Sequence, residues 1–124
     1  MILKDWLDNK YTKEEQNNLI ILSCSREGIT SLEGIEGLVK LENLYCSDNK
    51  LKSLKGIEHL VNLYWLNCSN NYLTSLKDIE QLVNLKELHC FNNPLPYSDL
   101  WNLSNLKLEL KREIRQDKIQ KLLI

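Results

Sequence analysis

The chain has no surplus of charge of one sign. It holds 16 lysine and arginine residues against 17 aspartate and glutamate residues, so its formal net charge is −1 over 124 residues. Proteins that bind nucleic acid or anionic membranes usually carry a basic surplus. The C-terminal stretch 107–124 is locally basic, but a solvated helix face explains this better than a binding patch does. We therefore expect neither a nucleic acid nor a membrane as partner.

Long hydrophobic runs are absent as well. A membrane-spanning helix needs about 18 to 20 consecutive apolar residues, and no stretch of this sequence approaches that length. The first residues, Met1 to Trp6, also lack the apolar run of a signal peptide. Both features predict a cytoplasmic protein.

The sequence contains none of the common catalytic motifs. It has no glycine-rich phosphate loop, no His-Glu-x-x-His motif and no clustered carboxylates of the catalytic kind. His89 and Cys90 are adjacent, but neighbouring residues of a β-strand point to opposite faces, so a histidine–cysteine nucleophile pair is not expected. We expect no enzymatic activity, no metal and no cofactor.

A repeat of 22 residues dominates the sequence instead. Four cysteines are spaced by this step, and so are two sets of leucines. The members are Cys24, Cys46, Cys68 and Cys90; Leu19, Leu41, Leu63 and Leu85; and Leu22, Leu44, Leu66 and Leu88. A fixed period of about 20 to 29 residues is typical of leucine-rich repeats, which stack into solenoids. We predict an α/β solenoid: a leucine-rich-repeat arc with short parallel β-strands on the concave face, 3₁₀ or short helical turns on the convex face, and helical caps at both ends.

The cysteines are interpreted as core residues. Each follows a leucine by two positions, so in a strand both point to the same face. Thiols in a straight ladder, about 4.8 Å apart, cannot converge on one tetrahedral zinc ion. Their parallel Cβ vectors also do not suit a disulfide. We expect small buried hydrophobes in a reducing compartment; a redox or metal-binding ladder is the alternative.

Asparagines at Asn49, Asn71 and Asn93 are predicted to hold the turn that follows each strand. An asparagine side chain offers both a donor and an acceptor to backbone groups that the turn leaves unpaired. Stacked asparagines would then link successive repeats. In the first repeat Glu27 stands at this position, so we expect the ladder to end there.

The second half of each unit returns along the convex side. Apolar residues three positions apart suit a 3₁₀ turn or a single α-turn, and a glutamate near its start would be favoured by the helix dipole. Three valines are expected to complete the packing. The residues concerned are Leu32, Ile35 and Leu38; Leu54, Ile57 and Leu60; Leu76, Ile79 and Leu82; Glu36, Glu58 and Glu80; and Val39, Val61 and Val83.

We predict one leucine-rich-repeat domain over 1–124, with an N-terminal helical cap at 1–18, four repeats at 19–105 and a C-terminal cap at 106–124. Thr12 and Glu15 form a capping box that opens a short helix. The apolar residues Ile2, Leu3, Trp6 and Leu7 should pack on the first repeat.

The C-terminal cap has two possible structures. Leu106, Leu108 and Leu110 alternate, which suits a last strand out of register, followed by a helix from Lys111 to Leu123. A helix that starts near Ser104 is the other possibility. In the first structure the inward residues of the closing helix would be Ile114, Ile119 and Leu122.

The full unit, LxxLxCSxNxLxSLxGIExLVN, resembles the 22-residue repeat of SDS22-like and internalin-like proteins from Leu19 to Leu106. The Cys-Ser-x-Asn variant and the ending from Asn92 to Leu100 are most similar to leucine-rich-repeat proteins of giant DNA viruses. This resemblance implies a horseshoe segment that binds proteins, without catalytic residues. If the chain is viral, the resemblance also implies a location in the cytoplasm of the host cell.

Residues between the core positions should point out from the concave face and form columns across the strands. Their aromatic members make good binding residues, because they bury a large area at a small entropic cost. Packing between neighbouring strands is the competing explanation. The predicted partner-binding residues are Asn43, Tyr45, Tyr64, Trp65, Asn67, Glu87, His89 and Phe91. Trp6 and Trp101 are instead expected in the caps or the convex core.

These observations predict a non-catalytic protein–protein interaction module that binds a protein or peptide on its concave strand face. Self-association through the aromatic face, giving a homodimer or a purely structural repeat protein, is the first alternative. A scaffold that regulates a phosphatase, by resemblance to the SDS22-like class, is a narrower version of the leading prediction.

Overall fold

The computed structural model describes residues 1–123. Two short helices, α1 (Leu3–Lys10) and α2 (Lys13–Asn17), precede the repeats. Each repeat then contributes a three-residue strand: β1 (Ile21–Ser23), β2 (Asn43–Tyr45), β3 (Trp65–Asn67) and β4 (Glu87–His89). Between the strands lie 3₁₀ turns at Ile35–Gly37, Ile57–His59 and Lys77–Ile79. A long helix, α3 (Leu103–Leu122), follows β4.

The four strands form one parallel sheet in the order β1-β2-β3-β4. Each residue pairs with the residue 22 positions later, so Leu22, Leu44, Leu66 and Leu88 lie in one line across the sheet. This register follows from the repeat, because equal units that stack side by side place equal positions next to each other. The predicted leucine-rich-repeat arc is confirmed.

The core is a stack of leucine, isoleucine and cysteine layers between the sheet and the 3₁₀ turns. Leu22, Leu44 and Leu66 are fully buried, as are all four cysteines, and each of those thiols is free. Leucine and cysteine share the inward face because they are two positions apart in an extended segment. The predicted packing of the thiols in the core is confirmed.

The asparagine ladder is present as predicted. The Asn71 amide nitrogen donates to the carbonyl oxygens of Cys46 and Cys68, at 3.1 and 3.0 Å, and its side-chain oxygen accepts from the Leu51 backbone N–H at 3.0 Å. Asn49 and Asn93 make the corresponding bonds in their own repeats. Each asparagine therefore ties its own turn to the backbone of the preceding repeat, and the ladder ends at Glu27, whose side chain is exposed.

The turns of the convex side begin differently in the third repeat. In the first two repeats Gly34 and Gly56 precede the turn with φ of +103° and +105°, and Glu36 and Glu58 accept their backbone N–H groups. Asp78 occupies the equivalent position and avoids this conformation, which an L-residue rarely adopts. The third turn therefore starts earlier, at Lys77, and Glu80 lies at its end rather than near its start.

The valines of the convex side do not pack in the core, contrary to prediction. Val39, Val61 and Val83 are 50%, 59% and 73% exposed. Each lies in a tight turn between two buried leucines, as in the turn closed by the hydrogen bond from the Leu63 N–H to the Leu60 carbonyl. Because both flanking leucines turn inward, the valine between them points to solvent.

The N-terminal helices cover the first repeat. Thr12 and Glu15 form the predicted capping box of α2, with both reciprocal hydrogen bonds present. In α1, Leu3, Trp6 and Leu7 are buried as predicted. Ile2 pairs with Ser31 in an isolated parallel bridge, which holds the start of the chain against the first repeat.

The C-terminal segment is one helix, so the predicted strand at Leu106 to Leu110 is wrong and the helix near Ser104 is right. Asn102 caps α3 by accepting the Asn105 backbone N–H. Leu106 and Leu110 are buried. Ile119 and Leu122, predicted to point inward, are 42% and 86% exposed, because they lie on the opposite side of the helix from the buried leucines.

No helix within residues 1–123 is both long and apolar enough to cross a membrane.

Candidate partner-binding face

The exposed side of the sheet carries two columns of side chains. Leucines at the centre of each strand point into the core, so the residues on either side of them point out. One column is Ile21, Asn43, Trp65 and Glu87, and the other is Ser23, Tyr45, Asn67 and His89. All eight are at least partly exposed. We call this surface the strand face.

Five rings follow one another across the strand face and beyond it. The ring centroids of Tyr45 and Trp65 are 6.4 Å apart, and those of Trp65 and His89 are 5.2 Å apart. His89 lies 6.3 Å from Phe91, whose ring lies 4.6 Å from Trp101. We call this series the ring row. It runs from β2 across β3 and β4 to the segment that precedes α3.

Tyr64, also predicted as a binding residue, lies apart from the ring row. It is 50% exposed and has no ring neighbour among the described residues. Its column lies where the chain enters the strands, and it continues with three exposed side chains, Ile20, Glu42 and Lys86. The backbone there is paired, since the Glu42 carbonyl accepts the N–H groups of Tyr64 and Trp65.

Trp101 is the residue of the ring row that the sequence did not predict. It was expected in a cap or in the convex core, yet it is 84% exposed. The carboxylate of Asp99 accepts the backbone N–H groups of Trp101 and Asn102, which forms the turn that presents the indole. Trp101 lies outside the 22-residue phase, so no column position pointed to it. Trp6, by contrast, is buried as predicted.

A small pocket lies between Trp101 and the start of β4. Its volume is about 190 Å³, and its lining residues are Lys86, Glu87, Leu88, Leu100, Trp101 and Leu103. The ring row thus ends beside a small polar recess that contains one cationic and one anionic side chain.

Polar groups of the ring row are not all paired. Trp65 Nε1 and His89 Nε2 are buried and have no hydrogen-bond partner within residues 1–123. The nearest carboxylate oxygen of Glu87 is 4.0 Å from His89 Nε2, too long for a hydrogen bond. A buried unpaired donor costs about 1 to 3 kcal/mol. The strand face therefore combines large apolar rings with polar groups that the fold leaves unsatisfied.

The rim just beyond the strands is hydrogen-bonded to itself. Ser47 bonds Ser25 through their hydroxyl groups at 3.0 Å, and Ser69 accepts the Phe91 backbone N–H at 3.1 Å. The next column has positive φ throughout, 56° to 61°, at Arg26, Asp48, Asn70 and Asn92. Three of these four are aspartate or asparagine, which tolerate this conformation. The serine hydroxyl groups and the column of positive φ therefore belong to the turn, whereas the Phe91 ring belongs to the ring row.

The cysteine ladder does not form a reactive site. Burial raises the pKa of Cys24 to about 12 and that of Cys90 to about 11. It also raises the pKa of Cys46 and Cys68. The thiolate is the nucleophile and the metal ligand, so these thiols are held in their unreactive form. Within residues 1–123 no group of His, Cys, Asp and Glu side chains is arranged to hold a metal ion.

Comparison with known proteins agrees with this architecture. Residues 17–59 match the family described as leucine-rich repeats in two copies. No curated protein matched the chain. Among solved structures, the functional domain of InlJ from Listeria monocytogenes, which includes a cysteine ladder, is 36% identical over 70% of this chain and 19% of that one, with a TM-score of 0.64.

Two further internalins of Listeria monocytogenes are similar. Internalin C2 is 29% identical over 73% of this chain and 39% of that one, with a TM-score of 0.65. The internalin inlF is 28% identical over 84% of this chain and 32% of that one, with a TM-score of 0.68. The chain thus spans between 19% and 39% of the length of these three structures.

Residues 17–59 thus match leucine-rich repeats, and the arc is similar to those of the internalins by its structural neighbours. Leucine-rich-repeat domains are typically protein-interaction modules and are usually non-catalytic. The three relatives are bacterial, so they do not support the resemblance to proteins of giant DNA viruses.

Proposed function

We propose that this protein is a non-catalytic interaction module that binds a protein or peptide on its strand face. The observation that carries the proposal is the ring row, which places Tyr45, Trp65 and His89 side by side on the exposed side of the sheet. Aromatic side chains dominate the energetics of protein interfaces because they bury much area at little entropic cost.

The surroundings of the rings support the same function. A typical interface has an apolar centre and a polar rim with about one hydrogen bond per 100 to 200 Å². Here Asn43, Asn67 and Glu87 lie between and beside the rings on the strand face. They supply donors and acceptors around an aromatic centre, and Phe91 and Trp101 extend that centre past β4.

We also propose a cytoplasmic location. Four free cysteines in one small domain fit a compartment that keeps thiols reduced.

A comparative pull-down from cell lysate tests the proposed function. The bait is the wild-type protein or the variant Tyr45→Ser/Trp65→Ser/His89→Ser, with bound proteins quantified by mass spectrometry. The control variant Val39→Ser/Val61→Ser/Val83→Ser removes three exposed apolar side chains from the convex side. We expect a protein that the wild type and the valine variant retain and the strand-face variant loses. If all three baits retain the same proteins, the strand face binds no other protein of the lysate.

A further inference from the structure

We propose that the partner of the strand face is a second copy of this chain, bound in a two-fold dimer in which β3 faces β3. This inference rests on the proposed function, because it names the partner of the same surface. It is carried by the way in which charged and apolar side chains are distributed on the two sides of β3.

The register of the sheet determines which residues would meet. A two-fold axis parallel to the strands and passing between two β3 strands reverses the strand order, so β2 of one copy faces β4 of the other. Since equal positions lie 22 residues apart, each residue of β2 meets the residue 44 positions later in the other copy. Each residue of β3 meets the same residue of the other copy.

The charged side chains are complementary when β2 of one copy faces β4 of the other. Glu42 and Lys86 are exposed and lie on either side of Tyr64 in the same column. Neither side chain has a salt bridge or hydrogen bond within the part of the chain that the structure describes. The dimer places Glu42 of each copy opposite Lys86 of the other, which forms two equivalent ion pairs. Between them lie Tyr64 and Trp65, uncharged side chains that can meet their own copies without repulsion.

Exposed apolar side chains are complementary as well. Ile20 and Ile21, at the β1 end, are 43% and 58% exposed, and Trp101, beyond β4, is 84% exposed. The reversal that pairs β2 with β4 also brings the β1 end of one copy to the segment beyond β4 of the other. The dimer therefore covers three of the most exposed apolar residues on this side of the molecule. Removing apolar surface from water is favourable.

The narrow width of the face limits the area that the dimer can bury. Four parallel strands, about 4.8 Å apart, span about 14 Å from β1 to β4. Stable interfaces bury about 1,600 Å² in total, and a face of this width buries less. We therefore expect association in the micromolar range or weaker, with a dissociation constant that sedimentation can measure.

Analytical ultracentrifugation of charge-reversal variants tests the inference. The wild type should rise from a mass of 14.6 kDa toward twice that value with increasing concentration. Glu42→Lys and Lys86→Glu should each raise the dissociation constant at least tenfold, about 1.4 kcal/mol, because each creates two like-charge contacts. The double variant, and an equal mixture of the two single variants, should regain the wild-type constant. Lys52→Glu reverses an exposed charge outside the strand face and should leave the dissociation constant unchanged.

A wild type that stays monomeric at about millimolar concentration would overturn the dimer, as would charge reversals that weaken it without restoration in the mixture. The proposed function would survive either result if the strand-face variant still lost a captured protein in the pull-down. Another outcome is that the wild type forms the dimer and the charge reversals change its dissociation constant as expected, while the wild-type and strand-face baits retain the same proteins. In that case the second copy is the partner of the strand face.

Discussion

At the scale of single residues, the asparagines of the ladder have the clearest role. Each has one side-chain amide that serves two repeats, donating to carbonyls of both and accepting an N–H from the earlier one, as Asn71 does with Cys46, Cys68 and Leu51. Aspartate lacks the donor and serine lacks the reach for this set of bonds. Because the bonds cross from one repeat to the next, the asparagine acts as a clamp between stacked units.

Replacing this side chain should therefore be costly. We expect Asn71→Ala to lower the free energy of unfolding by about 1 to 3 kcal/mol, because buried backbone groups lose their partners. Urea unfolding followed by circular dichroism measures the loss. Asn9→Ala is the matched control, since Asn9 is exposed on α1 and alanine favours a helix. Equal stability of the two variants would contradict the ladder as a stabilising feature.

At the scale of elements, the N-terminal cap depends on a close approach between α1 and the first repeat. The Lys4 backbone N–H donates to the Glu33 carbonyl at 2.8 Å, and the Leu3 backbone N–H donates to the Ser31 carbonyl at 2.9 Å. Gly34 follows with φ of +103°, and a Cβ atom there would lie 2.8 Å from Lys4 Cβ and 2.9 Å from Lys4 Cα. Glycine is required at this position both by the backbone conformation and by the neighbouring helix.

We expect Gly34→Ala to destabilise the protein by more than about 1 kcal/mol, because alanine disfavours positive φ and its Cβ collides with α1. Gly37 provides the control, since nothing lies within 4 Å of a Cβ atom there and its φ is not positive. Thermal unfolding of both variants measures the difference. A Gly34→Ala protein that melts with the Gly37→Ala protein would show that α1 does not need this contact.

The C-terminal helix is docked by carboxylates at every fourth position. Glu109 accepts from Ser98, Glu113 accepts from Tyr97 and Ser75, and Asp117 pairs with Lys77. Tyr97 lies at the centre, because its hydroxyl group also accepts the Leu76 backbone N–H at 2.8 Å. Burial raises the pKa of Tyr97 to about 12. This network attaches α3 to the third turn while Leu106 and Leu110 cover the core.

Removing one hydroxyl group tests this network. We expect Tyr97→Phe to destabilise the protein by about 1 to 3 kcal/mol, since the Leu76 N–H and the Glu113 carboxylate lose a partner. Tyr72→Phe is the matched control, because Tyr72 is 58% exposed. Amide hydrogen exchange should show faster exchange in α3 for Tyr97→Phe only. Unchanged exchange in α3 would assign its docking to the apolar contacts alone.

At the scale of the whole molecule, the cysteine ladder links stability to pH. Burial raises the pKa of each thiol in the folded state above the value of 9.0 for a free thiol, to about 11 for Cys90. The folded protein therefore holds these protons more tightly than the unfolded chain does. The resulting stability is fully present below pH 9 and is lost as the pH rises toward the folded value, up to about 1.4 kcal/mol per pH unit for each thiol.

We expect the free energy of unfolding to fall steeply between about pH 9 and pH 11, in keeping with the raised pKa of Cys90. Urea unfolding at several values in this range gives the slope. Cys90→Ala should reduce the slope by the contribution of one thiol, although it also lowers stability at neutral pH by leaving a small cavity. An identical slope in wild type and variant would show that this thiol does not titrate differently on folding.

The repeat itself was predictable because its signals are local and recur. Strand positions, inward leucines and cysteines, the turns at Asn71 and its equivalents, and the capping box at Thr12 all follow from spacing within one unit. The columns of the strand face follow from the same spacing, since a strand alternates its side chains. Their role in binding stays a prediction.

Where the repeat ends, only the tertiary structure decided the outcome. After Asn93 no later unit repeats the spacing, so Leu106 to Leu110 suited a strand as well as a helix, and packing on the third turn settled it. Trp101 lies at the end of the ring row because a turn capped by Asp99 presents it there, and Val61 is exposed because both neighbouring leucines point inward. Spacing along the chain determines how equal units stack; where the stack stops, contacts between distant residues decide.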